Sequence, residues 1–179
     1  MQMTTDLRVI KTIRDIQEGF IQVLQDKSFE KITVNDICTA SLVGRSTFYH
    51  HYQDKYDLLE QMNHTQANNF KALLSNRVQQ LQQDELLLDL YNGLVPDRKI
   101  ITTLMTITDV KDNLKAAYFK ILKQYFDKVA SQIRIDVPND FLSDFYANSA
   151  LTAILWSLEH GQQEKIATFM NGLVKKSIG

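Results

Sequence analysis

Residues 32–59 have the sequence ITVNDICTASLVGRSTFYHHYQDKYDLL, and this stretch decides the fold of the chain. Thr33 followed by Asp36 is a helix N-cap with an acidic residue at the third helical position, a variant of the capping box. The pattern predicts helices over 34–41 and 45–51, separated by a three-residue turn. Helices this short are unstable alone, so they must dock on a neighbouring helix. The stretch therefore predicts a helix-turn-helix.

The sequence on either side supplies the helices that this motif needs. A helix over 6–26 is predicted by apolar residues at helical spacing, with Ile16 or Gln17 completing the face formed by Ile10, Ile13, Phe20 and Leu24. Asp54 and Asp57 repeat the capping pattern at the start of a fourth helix. The expected small core of the motif consists of Phe29, Val34, Ile37, Val43 and Phe48.

The rest of the chain predicts helices only, because no strand-like alternation persists. Asn92-Gly93 is a helix stop signal, and Pro96 is suited to opening the next helix. Asp109 with Asp112 is expected to cap a long helix, followed by helices over 139–160 and 162–177. The predicted fold class is all-α, with a three-helix helix-turn-helix domain over 1–55 joined to a helical domain over 56–179.

Composition narrows the classes of function. Apolar residues make up 44% of the 179 residues and charged residues 23%, which is typical of a globular protein. Apolar runs fall short of the ~20 residues that span a bilayer, and the start of the chain lacks the features of a secretion signal, so we expect a cytoplasmic protein without membrane contact. The single Cys38 cannot form an internal disulfide and is expected in the core. Since no metal-site spacing or catalytic motif stands out, we expect no metal, no cofactor and no enzymatic activity.

The charge balance does not by itself indicate nucleic-acid binding. The formal net charge is −1, and residues 1–55 contain seven Lys and Arg against seven Asp and Glu. Neutralisation of phosphates supplies most nonspecific affinity for DNA, so this balance argues against a strong nonspecific binder. A specific binder, with a few cations on the DNA-facing side, remains compatible with it.

The stretch Ile32–Ile37, then Val43, Ser46–Tyr52 and Asp54–Leu59, resembles the signature of the TetR family of transcriptional regulators. The resemblance covers about residues 7–60, and its specificity comes from many spaced positions that agree at once. Two positions depart from the family pattern, which has Gly where this chain has Leu42 and Ser where it has Gly44. Either Leu42 adopts an uncomfortable backbone conformation or the turn differs by one residue.

The resemblance implies a homodimer that binds a palindromic operator in double-stranded DNA, usually as a repressor that a small molecule releases, although activation is equally compatible with these residues. Arg45, Ser46 and Thr47 would enter the major groove, and Lys55 would pair with a phosphate. Thr33 would cap the second helix and touch a phosphate, and Tyr49 and His50 would contact phosphates or thymine methyl groups. For His51, core packing and phosphate contact are equally expected roles, whereas Phe48 and Tyr52 are expected in the core.

The helical domain offers two further expectations. Small residues near its penultimate helix predict a dimer interface through the last two helices, formed by Ala147, Ala150, Ile154, Leu158, Ile166, Phe169, Met170 and Leu173. The alternative is that the small residues pack inside one subunit. A pocket for an apolar or aromatic effector is expected among Tyr91, Met105, Tyr118, Tyr125, Tyr146 and Trp156, with plain core packing as the alternative. The competing function is a helical protein-interaction module with weak or no DNA affinity.

Overall fold

The computed structural model describes residues 2–78, 86–129 and 137–178, and their side chains except those of 2–6, 76–78, 86, 129 and 173–178. Within these ranges all regular structure is helical, which confirms the predicted all-α class. The α-helices are α1 (Gln2–Asp26), α2 (Val34–Ser41), α3 (Arg45–His51), α4 (Lys55–Val78), α5 (Leu86–Leu94), α6 (Arg98–Leu104), α7 (Leu114–Val129), α8 (Asn139–His160) and α9 (Gln163–Ile178). Short 3-10 helices occupy Phe29–Lys31 and Val95–Asp97. None of the described helices has both the length and the apolar character that a membrane span requires.

The chain divides into two compact units, Met1–Thr65 and Gln66–Gly179. The boundary lies inside α4, ten residues after its start at Lys55. The sequence predicts a different boundary, between residues 55 and 56, which separates a DNA-contacting part from a part for dimerisation and effector binding. That functional division stays a prediction.

The first unit is built on α1, which packs against α2, and α2 packs in turn against α3. The expected core residues Phe29, Ile37 and Phe48 are buried, while Val34 and Val43 are half-buried. The buried face of α1 differs from the prediction, since Ile10 is 57% exposed. Two predicted members of the face, Ile16 and Phe20, are buried as expected, and Ile21 joins them.

Gly19 sets how closely α1 approaches α2. A Cβ placed on Gly19 would lie 2.7 Å from the backbone nitrogen of Ser41 and 2.9 Å from its Cα. Backbone atoms cannot swing aside as a flexible side chain can, so this spacing requires glycine. No local pattern in the sequence around Gly19 indicates this close approach.

The second unit is arranged around α8, which packs against α5, α6, α7 and α9. Two predicted helix ends are wrong. The stop signal at Asn92-Gly93 does not end α5, which continues to Leu94. Gly93 lies close to α4, since a Cβ placed on it would lie 2.8 Å from Leu73 Cδ2. Pro96 lies in a 3-10 helix rather than opening α6.

The start of α7 is also capped differently from the prediction. The cap is Asn113, whose side-chain oxygen accepts the Ala116 N–H at 2.9 Å, rather than Asp109 or Asp112. Asp112 holds a left-handed backbone conformation with φ 59° immediately before it. The predicted start of α8 and its end at Gly161, a left-handed C-cap, agree with the structure.

The α8 residues of the predicted dimer interface are buried within the single chain, which favours the alternative that they pack inside one subunit, and the interface itself stays a prediction. Ala147, Ala150, Ile154 and Leu158 are all 8% exposed or less within the single chain. Little of these four side chains is therefore left exposed for a second subunit, and α8 packs against α5, α6, α7 and α9 within the unit. Of the α9 residues in that prediction, Ile166 and Met170 are half-buried, Phe169 is 61% exposed, and the Leu173 side chain lies outside the described part.

Candidate nucleic-acid interface

The N-terminus of α2 carries the predicted cap in full. The Thr33 hydroxyl accepts the Asp36 N–H at 3.2 Å, and Asp36 Oδ2 accepts the Thr33 N–H at 2.9 Å. Lys27 adds a hydrogen-bonded ion pair, with its Nζ 2.7 Å from Asp36 Oδ1. The hydrogen bond from Lys27 and those from Thr33 lower the pKa of Asp36 to about 2. Lys27 lies nine residues upstream in a link between helices, so local spacing gave no signal for this contact.

The turn between α2 and α3 resolves the two alternatives for Leu42. Leu42 has φ 56° and ψ 30°, so it adopts the uncomfortable left-handed conformation. Its N–H donates to Thr39 O, and the Val43 N–H donates to Cys38 O at 3.1 Å. This pair of bonds is the Schellman pattern, in which the residue after the helix is left-handed and glycine is preferred. Leu42 itself is 94% exposed.

Helix α3 separates into a buried face and an exposed face. Phe48 and the following Tyr52 are buried, as expected for core residues, and burial raises the pKa of Tyr52. Tyr52 receives a long hydrogen bond of 3.4 Å from Gln17 Nε2, which ties the end of α3 to α1. The exposed face begins with Arg45, Ser46 and Thr47 in the first turn.

Arg45 and Tyr49 contact one another on the exposed face of α3. The Arg45 guanidinium carbon lies 5.9 Å from the centroid of the Tyr49 ring, within the range of a cation–π interaction. Tyr49 in turn packs edge-on against the buried ring of Phe48, with centroids 5.6 Å apart. The core therefore positions Tyr49, and Tyr49 restricts Arg45 before any ligand is present.

The structure brings most of the predicted contact residues to the surface of the first unit. Exposed members of the set are Thr33, Arg45, Ser46, Thr47, Tyr49 and His50. His51 is half-buried, with its ring 5.2 Å from that of His50 and 6.5 Å from that of Tyr52. Cys38 is buried behind this surface, where burial raises the pKa of its thiol.

Lys55 differs from the others in its surroundings. Its Nζ donates to the carbonyl oxygens of Phe29 and Glu30 at 2.9 Å and of Ile32 at 2.8 Å. An ammonium has three N–H donors, so these carbonyls take all of them. The phosphate pairing expected of Lys55 would have to break at least one of these bonds.

The start of α4 is capped as the sequence predicted. Asp54 Oδ1 accepts the N–H groups of Tyr56 and Asp57, at 2.8 and 2.9 Å. Asp57 Oδ2 accepts the N–H of Gln53 at 2.8 Å. The two carboxylates therefore fix the turn that joins α3 to α4.

The second unit contains a small apolar cavity of about 20 Å³, enough for about one water molecule. Of the six residues predicted for a pocket, Tyr91 and Tyr146 line this cavity. Its other lining residues are Leu74, Leu87, Leu90, Leu122, Ala150, Ile154, Met170 and Asn171.

The other four predicted pocket residues do not line this cavity, although the Tyr125 ring stacks on that of Tyr146, with centroids 6.3 Å apart. Tyr118 is buried and stacked on Phe70, with ring centroids 4.0 Å apart, and burial raises its pKa. Met105 and Tyr125 are buried, whereas Trp156 is 38% exposed and stacked on His160 at 4.2 Å. The alternative of plain core packing therefore describes Tyr118 better than a place in this cavity.

Comparison with known proteins places the similarity in both units. Residues 19–62 match the family model for bacterial regulatory proteins of the tetR family. An uncharacterized HTH-type transcriptional regulator of Bacillus subtilis, YxbF, is 41% identical over 58 residues, which are 32% of this chain and 15% of that protein. The chain thus spans only about 15% of that curated relative.

Two solved structures extend the similarity over nearly the whole chain. A TetR transcriptional regulator from Streptococcus agalactiae is 26% identical with a TM-score of 0.67, covering 97% of this chain and 99% of that one. The dihydroxyacetone kinase operon activator DhaS is 20% identical with a TM-score of 0.57, covering 93% of this chain and 96% of its own, and at that identity it supports the fold alone.

Proposed function

Because this chain belongs to the tetR family of bacterial regulatory proteins, we propose that it is a sequence-specific, DNA-binding transcriptional regulator. The observation that carries the proposal is α3, which packs against α2 with Phe48 buried while Arg45, Ser46 and Thr47 stand exposed in its first turn. The N-terminal residues of a recognition helix are those that reach base edges in the major groove. DNA contact is assigned to residues 1–55, and dimerisation and effector binding to residues 56–179. A regulator of this kind acts in the cytoplasm.

The exposed residues divide by chemistry into readers of sequence and phosphate contacts. Arg45 presents a planar set of donors that suits guanine, and the hydroxyls of Ser46 and Thr47 suit either partner of a base pair. Thr33, Tyr49, His50 and His51 supply hydrogen bonds to phosphates, which fix the position of α3 without reading sequence. The contact between Arg45 and Tyr49 reduces the conformational freedom that Arg45 loses on binding.

We propose that the protein acts as a homodimer on a palindromic operator, with its dimer face on α8 and α9. The exposed aromatic residues Phe141 and Phe145 stack on one another one turn apart at the start of α8, and Trp156 is partly exposed near its end. Phe169 contributes an exposed ring on α9. Aromatic residues are enriched in interfaces and costly to leave in water, so this face replaces the small-residue face of the sequence analysis.

Repression relieved by an apolar or aromatic small molecule is the regulatory outcome that we propose. The apolar lining of the small cavity, with the hydroxyl-bearing rings of Tyr91 and Tyr146, supports that ligand class. A cavity of this size must expand to admit such a molecule, and expansion moves the helices that line it. A true effector changes DNA affinity by the same factor that DNA changes effector affinity, which titrations in both directions measure. Activation is the second outcome, as the name of DhaS illustrates for that protein.

The second candidate function is a protein-interaction module that kept the fold, favoured by the balanced charge of residues 1–55. A salt titration of DNA binding separates the two functions. Phosphate contacts release counterions, so a regulator loses affinity steeply as salt rises, whereas a module without phosphate contacts gives no such slope. A flat or absent response with every DNA tested would support the module and reject the regulator.

A further inference from the structure

Lys55 connects the two ends of the helix-turn-helix segment. Lys55 is the first residue of α4, which follows the helix-turn-helix segment of α2 and α3. The three carbonyl groups that accept its hydrogen bonds lie in residues 29–32, just before α2 begins. The acceptors are the carbonyl oxygens of Phe29 and Glu30, in the 3-10 helix, and of Ile32, which precedes the cap residue Thr33. The whole of α2, the turn and α3 therefore lies inside a loop that one side chain closes.

Two aromatic rings hold the Lys55 ammonium at this position. Its Nζ lies 4.9 Å from the Phe29 ring centroid and 5.3 Å from the Tyr56 ring centroid. The two rings also pack edge to face, with centroids 5.1 Å apart. Hydrogen bonds made by a charged donor are stronger than neutral ones, and the faces of the aromatic rings attract the ammonium.

From this geometry we infer that Lys55 is a positioning residue, which fixes the orientation of α2 and α3 for DNA instead of binding a phosphate. The inference rests on the proposed function for its link to DNA. By its hydrogen bond to Ile32, the residue before Thr33, Lys55 holds the start of α2 in place. As the first residue of α4, it also holds the chain that leaves the end of α3. Losing the contact leaves three carbonyls without their donor and lets the segment reorient.

Three variants separate a positioning role from a phosphate contact. Lys55→Met removes the charge and the donors but keeps the length of the side chain. Lys55→Arg keeps the charge, but a planar guanidinium cannot direct its N–H groups to the same three carbonyls, while it remains a good phosphate ligand. Lys31→Met is the matched control, since Lys31 is an exposed lysine in the same 3-10 helix.

Two measurements are made on each variant of the full chain. Urea unfolding followed by circular dichroism gives the midpoint without reference to DNA. Affinity for DNA selected by the wild-type protein is then measured across a range of salt, at a temperature where every variant is folded. We expect Lys55→Met and Lys55→Arg to lower the midpoint and to weaken binding by roughly tenfold or more, with the slope of log affinity against log salt unchanged. Lys31→Met should leave the midpoint unchanged.

Each contrary outcome overturns the inference. A slope flattened by about one in Lys55→Met with an unchanged midpoint identifies a phosphate contact. Full affinity in Lys55→Arg does the same, and that variant decides the matter if Lys55→Met does not fold. A lower midpoint with undiminished affinity of the folded protein limits Lys55 to stability. If wild-type protein binds no DNA, the proposed function fails while the midpoints still test the contact.

Discussion

The Schellman turn places Leu42 in a left-handed backbone conformation, φ 56° and ψ 30°, which is energetically unfavourable for a residue with a leucine side chain. The side chain is 94% exposed, so it contributes no packing to offset that cost. Leu42→Gly should therefore raise the free energy of unfolding by about 1 kcal/mol, measured by urea denaturation. Leu42→Ala keeps a Cβ and serves as the control. Equal stability of the two variants would contradict the account of this turn.

At Gly19, in contrast to Leu42, adding a side chain is expected to lower the stability of the protein. In Gly19→Ala the new Cβ would meet the backbone of Ser41, so α1 and α2 must separate. We expect a loss of about 1–3 kcal/mol in the free energy of unfolding, the usual cost of overpacking. Gln22→Ala, at an exposed position of the same helix, should leave stability nearly unchanged. A stable Gly19→Ala protein would show that the helices can separate without cost.

At the scale of elements, the cap of α2 should respond to pH. The pKa of Asp36 is lowered to about 2 from 3.8, so its stabilising contribution is complete above pH 3.8 and is lost as the pH falls towards 2. Asp36→Asn removes that contribution at every pH. The difference in unfolding midpoint between wild type and variant should thus be constant above about pH 5 and shrink below pH 4. A difference that stays constant down to pH 2 would reject the ionised cap.

Local signals account for the elements that the sequence predicted well. The bounds of α2 and α3 were predictable because Thr33, Asp36 and the turn act within a few residues of one another. The close approach of Gly93 to Leu73 was not predictable, because the two residues lie twenty positions apart in the sequence. The exposed α3 residues followed from the spacing of Phe48 and Tyr52, but the partners of Lys55 lie 23 to 26 residues upstream.

At the scale of the whole molecule, the proposed homodimer depends on which face of α8 is exposed. The sequence pattern could not decide which face of α8 is buried, because small residues suit close packing inside a subunit as well as between subunits. Ala147 and Ala150 are buried in the single chain, whereas the rings of Phe141 and Phe145 are exposed and form the face proposed for the dimer.

The aromatic face of α8 predicts how the dimer can be broken. Phe145→Glu places a charge where an apolar contact between subunits is proposed, so the protein should become monomeric at micromolar concentration in sedimentation velocity. Leu7→Glu adds the same charge to an equally exposed apolar residue of the first unit and should leave the dimer intact. A dimeric Phe145→Glu protein would place the interface elsewhere. Dimers of this kind bury about 1,200 Å² or more, which one misplaced charge can disrupt.

If α3 reads a specific DNA sequence, selection from a random double-stranded library should reveal that sequence. Wild-type protein at moderate salt should enrich fragments that share a palindrome, with half-sites ~34–36 Å or further apart between centres. Repeating the selection with Thr47→Ala should change the bases preferred within each half-site, because Thr47 is exposed in the first turn of α3. Fragments with no common sequence, bound no more tightly than unrelated DNA, would contradict the claim.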